Sequence, residues 1–125
     1  MTRPIAERHG GRLVLVADDE PSLRRSLSLM LASAGFSTVE AHDGVQAVEL
    51  VKARADIQVA LIDASMPGMS GVEAARKILD LRTDLPIVMM SGYTHELLVG
   101  VETITKPFEP DSLLEILRSL TSPPE

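Results

Sequence analysis

Short apolar runs and amphipathic stretches alternate along the chain. The apolar runs have the length and β-branched content of buried strands, and they cover residues 12–17, 36–41, 59–62, 86–90 and 102–105. Four stretches with helical spacing of apolar residues lie among them, beginning near Pro21, Asp43, Val72 and Pro110. Strand and helix thus alternate about five times, which predicts an α/β fold with a parallel sheet covered by helices on both faces.

Proline and glycine mark the ends of these predicted elements. Pro21 fits the first turn of the first helix, and Gly35 fits the position just past its end. The Pro-rich end of the chain cannot continue the last helix. We therefore expect a flexible leader over residues 1–11, one domain over 12–121 and a short tail over 122–125.

The composition narrows the possible functions. The chain has 125 residues, the size of one domain. Its formal net charge of −6 argues against nonspecific binding of nucleic acid and gives no support for binding an anionic membrane surface. The absence of cysteine excludes disulfides and thiolate chemistry. No apolar run approaches the ~20 residues of a membrane span, and residues 1–11 lack the apolar stretch of a signal peptide. We expect a cytoplasmic protein without direct membrane contact.

Polar side chains follow four of the five predicted strands. Asp18 and Asp19 come after the first strand, Asp63 after the third, Ser91 after the fourth and Lys106 after the fifth. Because ligands bind at the carboxyl ends of the strands in such folds, we expect these side chains to meet at one edge of the sheet. Each residue alone is typical of an ordinary turn or helix cap, but their joint placement favours a functional site.

Three carboxylates in one cleft repel one another, and two unit charges ~4 Å apart cost about 4 kcal/mol at an effective dielectric constant of ~20. Mg2+ offsets such repulsion, since it takes one or two carboxylates together with phosphate oxygens and water. A carboxylate also acts as a nucleophile toward phosphorus. These residue types predict Mg2+-dependent phosphoryl chemistry at Asp63, with Lys106 neutralising phosphoryl charge and Ser91 donating a hydrogen bond.

Four sequence motifs carry a family resemblance over about residues 12–120. The chain resembles the receiver domains of two-component response regulators (CheY-like proteins), and the motifs together and in this order are highly specific. They are Ala17-Asp18-Asp19-Glu20, Leu61-Ile62-Asp63 followed by Met66-Pro67-Gly68-Met69-Ser70-Gly71, Met90-Ser91-Gly92-Tyr93, and Lys106-Pro107-Phe108.

The resemblance implies a fold and a partner. The fold is a flavodoxin-like (βα)5 sandwich of three layers, with a parallel five-stranded sheet in the order 2-1-3-4-5. The implied function is that of a phosphorelay protein in which Asp63 accepts a phosphoryl group from the phosphohistidine of a histidine kinase or a histidine phosphotransfer domain. Mg2+ is the implied cofactor.

The resemblance also assigns roles within the site. Asp19, Asp63 and the backbone carbonyl of Ser65 would ligate Mg2+ directly, and Asp18 would act through a metal-bound water. Ser91 matches the switch hydroxyl of the family. Lys106 matches the lysine that follows the last strand in this family. The Lys106–Pro107 bond is expected to be cis, since X–Pro bonds alone adopt cis at low cost.

Two departures from the family pattern concern the output of the domain. Thr103 stands where the family usually carries an aromatic switch residue, which leaves Tyr93 either as a substitute switch or as a simple lid over the site. Fourteen residues separate Ser91 from Lys106. The fifth strand and the loop after Ser91 take up most of these residues, and those that remain allow about one helical turn, at ~3.6 residues per turn. We therefore predict that the family's fourth helix, between strands four and five, is shortened or absent, which alters a surface that many receivers use for dimerisation and output.

The lifetime of the phosphoryl group depends on two positions that flank the approach of hydrolytic water in this family. In this chain they are Ser65 and Tyr93. Neither side chain is a carboxylate base, and the Tyr93 ring is bulky enough to hinder in-line attack. We expect an aspartyl phosphate that hydrolyses slowly.

Three functions fit these residues to different degrees. The leading one is a receiver that catalyses its own phosphorylation and slow dephosphorylation, has no independent metabolic activity and switches conformation to signal. A degenerate receiver that only binds proteins is disfavoured because all five site positions hold competent residues. A Mg2+-dependent phosphatase, or another small α/β enzyme with its own substrate, is disfavoured because the chain has no spare residues for a cap or a substrate pocket. A stand-alone regulator and the receiver of a hybrid histidine kinase both stay open, as does the oligomeric state.

Overall fold

The computed structural model describes residues 12–92 and 98–121 of the chain. The strands in these ranges are β1 (Leu13–Ala17), β2 (Ser37–Ala41), β3 (Ile57–Asp63), β4 (Ile87–Ser91) and β5 (Glu102–Thr105). The helices are α1 (Pro21–Ser33), α2 (Gly44–Ala53), α3 (Gly71–Leu81) and α4 (Pro110–Leu120). The predicted leader, the predicted tail and residues 93–97, which include Tyr93, lie outside the described residues.

The strands form one parallel sheet in the order β2-β1-β3-β4-β5, which confirms the predicted topology. β3 is the central strand of this sheet. In its register, Ala17 at the end of β1 pairs with Ile62, and Asp63 pairs with Met90 of β4. Because all strands run in one direction, the residues that follow them collect at one edge of the sheet.

The sheet divides the aliphatic core into two layers. On one face, strand residues such as Leu15, Ile62 and Met89 pack with the buried side chains of α2 and α3. On the other face, residues such as Val16 and Leu61 pack with the buried side chains of α1 and α4. Strands buried on both faces read as continuous apolar runs, which is why they were visible in the sequence.

β1, β2 and β4 each begin one residue later than predicted, and β3 begins two residues earlier, at Ile57. For β2 and β4, the use of backbone groups at the predicted starts explains the shift. Phe36 donates its N–H to the carbonyl of Leu31, and Gly35, with φ +94°, donates to that of Ala32. These bonds close the end of α1 in a Schellman motif, so β2 begins at residue 37. Pro86 has no N–H to give to the sheet, so β4 begins at residue 87.

The connection between β4 and β5 contains no helix in its described part, which is Gly92 and residues 98–101. A turn lies there instead, closed by a hydrogen bond from the N–H of Val101 to the carbonyl of Leu98 at 3.1 Å. For these residues, the prediction of a shortened or absent fourth helix is confirmed. Within the two described ranges, none of the helices combines the length and the apolar character needed to cross a membrane.

The start of α3 packs directly on the end of β3. The N–H of Gly71 donates to the carbonyl of Ala64 at 3.0 Å, and Ser70 caps the helix by accepting a hydrogen bond from the N–H of Glu73 at 3.2 Å. A methyl group at position 71 would overlap the backbone carbonyl of Asp63, so glycine is required at this close approach. The helix therefore fixes the backbone of Asp63.

Candidate functional site

The structure brings the predicted site residues together at the carboxyl edge of the sheet. Asp18 follows β1, Asp63 is the last residue of β3, and Lys106 follows β5. The Nζ atom of Lys106 lies 3.3 Å from Oδ1 of Asp63 and 3.4 Å from Oδ2 of Asp18. One ammonium group therefore contacts two carboxylates that are 45 residues apart in the chain.

Three carboxylates converge at this edge, as the sequence predicted. Asp18, Asp19 and Asp63 each offer an oxygen atom, and these oxygens all lie within 4.8 Å of one another. Asp18 and Asp63 are buried, whereas Asp19 is exposed. The cluster is therefore shielded on the side of the sheet and open to solvent on the side of Asp19, where an ion or a donor molecule can enter.

Backbone hydrogen bonds fix the two buried carboxylates. The N–H of Asp18 donates to the carbonyl of Ala41 on β2 at 3.1 Å, and Oδ1 of Asp18 accepts from the N–H of Glu20 at 3.0 Å. Oδ1 of Asp63 accepts a longer bond, 3.4 Å, from the N–H of Ser65. The side chain of Asp18 is therefore held at both of its oxygens, by Glu20 and by Lys106.

The strand that carries Ser91 also positions the lysine. The N–H of Lys106 donates to the carbonyl of Ser91 at 2.7 Å, and the side chain of Ser91 is buried at the end of β4. The Lys106–Pro107 bond is cis, as the resemblance implied. Ser91 thus lies on the strand next to Asp63, at the same edge of the sheet.

Thr103, the predicted switch position, lies inside β5 and not at the carboxyl edge of the sheet. It pairs with Met89 on β4, two residues before the pair that Ser91 forms with Thr105. Its Oγ1 atom is buried and has no hydrogen-bond partner within the described ranges. The switch roles of Ser91, Tyr93 and Thr103 stay predictions.

The electrostatics of the cleft centre on Asp63. Burial raises the pKa of its carboxyl group, and the nearby Asp18 carboxylate raises it further, while Lys106 and the N–H of Ser65 act in the opposite direction. The clustered charged groups are three carboxylates and the ammonium group of Lys106, which contacts two of them, so negative charge is in excess. Oxygen ligands with excess negative charge fit a hard divalent cation such as Mg2+.

Sequence reasoning missed the residues that hold the loop between β1 and α1. Arg24 donates one hydrogen bond to the backbone carbonyl of Asp18 and another to Glu40. Arg24 and Glu40 lie 16 positions apart, on α1 and β2, so neither helical nor strand spacing relates them. The pairing depends on the fold and leaves no local signal in the sequence.

Comparisons with known proteins agree with this geometry. The sequence matches the family model of the response regulator receiver domain over residues 14–118. It is 35% identical over 114 residues to the DNA-binding response regulator MtrA of Mycolicibacterium smegmatis, and the match covers 85% of this chain and 49% of that protein. The chain spans about half the length of the curated relatives it matches.

Solved structures show the same fold. The chemotaxis protein CheY4 of Vibrio cholerae superposes with a TM-score of 0.80 at 29% identity, covering 87% of this chain and 98% of that one. The response regulator TrrA of Thermotoga maritima, solved in complex with Mg2+ and BeF, gives the same TM-score of 0.80 at 29% identity, again covering 87% and 98%.

The crowding at Asp63 predicts a pH-dependent gain in stability for Asp63→Asn without divalent cations. Since the pKa of Asp63 is raised in the folded chain, its ionised form destabilises the fold, and wild-type stability falls as pH rises above the usual Asp pKa. Asn has nearly the same shape and no charge. We expect a higher unfolding temperature for Asp63→Asn at neutral pH, and a gap that closes as pH falls below about 3.9.

Thermal unfolding in EDTA across a pH series measures this effect. Asp84→Asn, which removes an exposed carboxylate outside the cluster, is the matched control and should show no such gap. An unfolding temperature of Asp63→Asn at or below that of the wild-type chain at neutral pH would contradict the account of the cleft.

Proposed function

This chain belongs to the response regulator receiver domain family, and from this membership we propose that Asp63 accepts a phosphoryl group from a phosphohistidine. The position of Asp63 supports this choice most directly. Its carboxylate ends the central strand and lies 3.3 Å from Lys106 Nζ within a cluster of three carboxylates. In Asp18, the N–H of Glu20 and Lys106 contact different carboxylate oxygens, whereas in Asp63 the N–H of Ser65 and Lys106 both contact Oδ1.

The proposed transfer is a substitution at phosphorus. A carboxylate oxygen of Asp63 forms the new P–O bond while the P–N bond to the donor imidazole breaks. The imidazole leaves with the bonding electron pair, takes up one proton from water and becomes a neutral histidine. The product on this chain is an aspartyl phosphate.

Lys106 and Ser91 would act on the phosphoryl oxygens. The ammonium group of Lys106 already contacts Asp63, so it stands where negative charge accumulates once the phosphoryl group arrives. Ser91 is buried at the end of the adjacent strand and would donate its hydroxyl to a phosphoryl oxygen. Movement of this hydroxyl toward the phosphoryl group is the proposed start of the conformational signal.

The acidic cluster would hold Mg2+. Asp19, Asp63 and the backbone carbonyl of Ser65 are the proposed direct ligands, and Asp18 would act through a metal-bound water. Bound Mg2+ would neutralise charge on the transferring phosphoryl group. The convergence of three carboxylate oxygens within 4.8 Å supports this site, as does the Mg2+ and BeF complex of the related TrrA.

A histidine kinase or a histidine phosphotransfer domain is the proposed donor. We propose that the domain itself, with its net charge of −6, does not bind nucleic acid and works in the cytoplasm. A stand-alone regulator and the receiver of a hybrid histidine kinase would use the same chemistry at Asp63. The gene sequence upstream of this chain distinguishes the two arrangements.

Incubation with acetyl phosphate and Mg2+, followed by intact mass spectrometry, tests the proposed function. The wild-type chain should gain the mass of one phosphoryl group, because acetyl phosphate supplies a transferable phosphoryl group without a kinase. Asp63→Asn and wild type in EDTA should show no gain, whereas the control Asp84→Asn should behave as wild type.

The other outcomes point to the competing functions. A wild-type chain that gains no mass would favour a degenerate receiver that only binds proteins. Continuous turnover of acetyl phosphate without a stable adduct, unaffected by Asp63→Asn, would favour a phosphatase. Either result would contradict the proposed role of Asp63.

The lifetime of the adduct tests the proposed role of Tyr93. After acetyl phosphate is removed, the phosphoryl group should be lost slowly from the wild-type chain and faster from Tyr93→Ala, since the smaller side chain opens the path of the attacking water. Loss of the mass gain over time measures both rates. Equal rates for the two chains would refute the hindering role of the ring.

A further inference from the structure

Arg24 makes two hydrogen bonds that reach back across the start of its own helix. Its Nη1 donates to the backbone carbonyl of Asp18 at 2.7 Å, and its Nε donates to Oε1 of Glu40 at 3.0 Å. The side chain is 17% exposed, so the guanidinium group is largely withdrawn from water and is held by these two charge-assisted hydrogen bonds. The next residue, Arg25, is exposed.

The first of these bonds fixes the peptide that joins Asp18 to Asp19. Because a peptide group is planar, fixing the carbonyl oxygen of Asp18 also fixes the direction in which the chain enters Asp19. The peptide before Asp18 is fixed separately, by the bond from its N–H to the carbonyl of Ala41 at 3.1 Å. Arg24 therefore completes the restraint on a segment that carries two of the three clustered carboxylates.

The second bond anchors Arg24 to the sheet. Glu40 lies on β2, where it pairs in register with Val16 of β1. Its side chain is about one-third exposed, at 33%, and forms an ion pair with Arg24. A continuous path thus runs from β2 through Glu40 and Arg24 to the backbone of Asp18.

We propose that Arg24, anchored by Glu40, is a positioning residue that holds the Asp18–Asp19 segment in the geometry that receives a divalent cation. The inference rests on the proposed function, since it assumes that the acidic cluster binds Mg2+. Partners that orient ligand groups without touching the ion typically change metal affinity by about 10- to 100-fold when they are removed.

A purely electrostatic role for Arg24 makes a different prediction. In that case its positive charge alone would reduce repulsion among the carboxylates, and lysine would replace it. The ammonium group of lysine is compact and lacks the planar fork that contacts two acceptors at once. Arg24→Lys therefore separates the two roles, because the variant keeps the positive charge and loses the fork that positions the Asp18–Asp19 segment.

Isothermal titration of the unphosphorylated chain with Mg2+ tests the proposal. We expect the Kd for Mg2+ to rise about tenfold or more in both Arg24→Ala and Arg24→Lys. Arg25→Ala, which removes an exposed arginine next in the sequence, should leave the Kd unchanged. Glu40→Gln, which weakens the anchor and keeps its length, should raise the Kd by less than Arg24→Ala does.

A second readout separates positioning from general damage to the fold. In acetyl phosphate reactions, the Mg2+ concentration that gives half of the maximal rate should rise with the Kd, while the rate at saturating Mg2+ stays near that of wild type. Thermal unfolding in EDTA identifies any variant that fails to fold. If Arg24→Ala fails to fold, the Kd values of Arg24→Lys and Glu40→Gln for Mg2+ still test the proposal.

Three results would overturn the inference. An unchanged Kd in folded Arg24→Ala would show that the segment holds its geometry without Arg24. A wild-type Kd in Arg24→Lys would show that charge alone is needed. A wild-type chain that binds no Mg2+ would overturn the proposed function together with this inference, and the wild-type titration identifies that outcome.

Discussion

The repulsion among three carboxylates at one edge of a parallel sheet is the constraint on which the rest of this structure depends. Asp18, Asp19 and Asp63 bring oxygens within 4.8 Å of one another, and Lys106 supplies the one ammonium group in contact with Asp18 and Asp63 within the described ranges. Such crowding is costly at low dielectric. A divalent cation relieves this repulsion because it adds positive charge at the cluster, and it would also offset the further negative charge that a phosphoryl group brings to Asp63.

Backbone contacts restrain the chain segments that carry Asp18, Asp63 and Lys106. Asp63 lies on the central strand, and the start of α3 packs against its carbonyl at Gly71. Lys106 is tied to the end of β4 through the carbonyl of Ser91 at 2.7 Å. Asp18 is held by β2 on one side and by Arg24 on the other. Of these fixed groups, the ammonium of Lys106 is the one placed to stabilise negative charge on a transferring phosphoryl group.

Much of this could be predicted from the sequence, since the fold and the site have local signals. Strands buried on both faces appear as apolar runs, and the residues that matter follow those runs directly, as Asp63 follows Ile62. The ion pair of Arg24 with Glu40 could not be predicted, because it depends on how α1 packs beside β2. The start of β2 was misplaced because the N–H of Phe36 closes α1, a choice between two hydrogen-bond partners that apolar spacing does not record.

Of the three crowded carboxylates, Asp63 is the proposed acceptor of the phosphoryl group. Borohydride reduces an aspartyl phosphate to homoserine and leaves free carboxylates intact, so peptide mapping after reduction identifies the acceptor. We expect homoserine at position 63 in the wild-type chain treated with acetyl phosphate and Mg2+, and unmodified aspartate at positions 18 and 19. Homoserine at position 18 or 19, with aspartate retained at 63, would contradict this proposal.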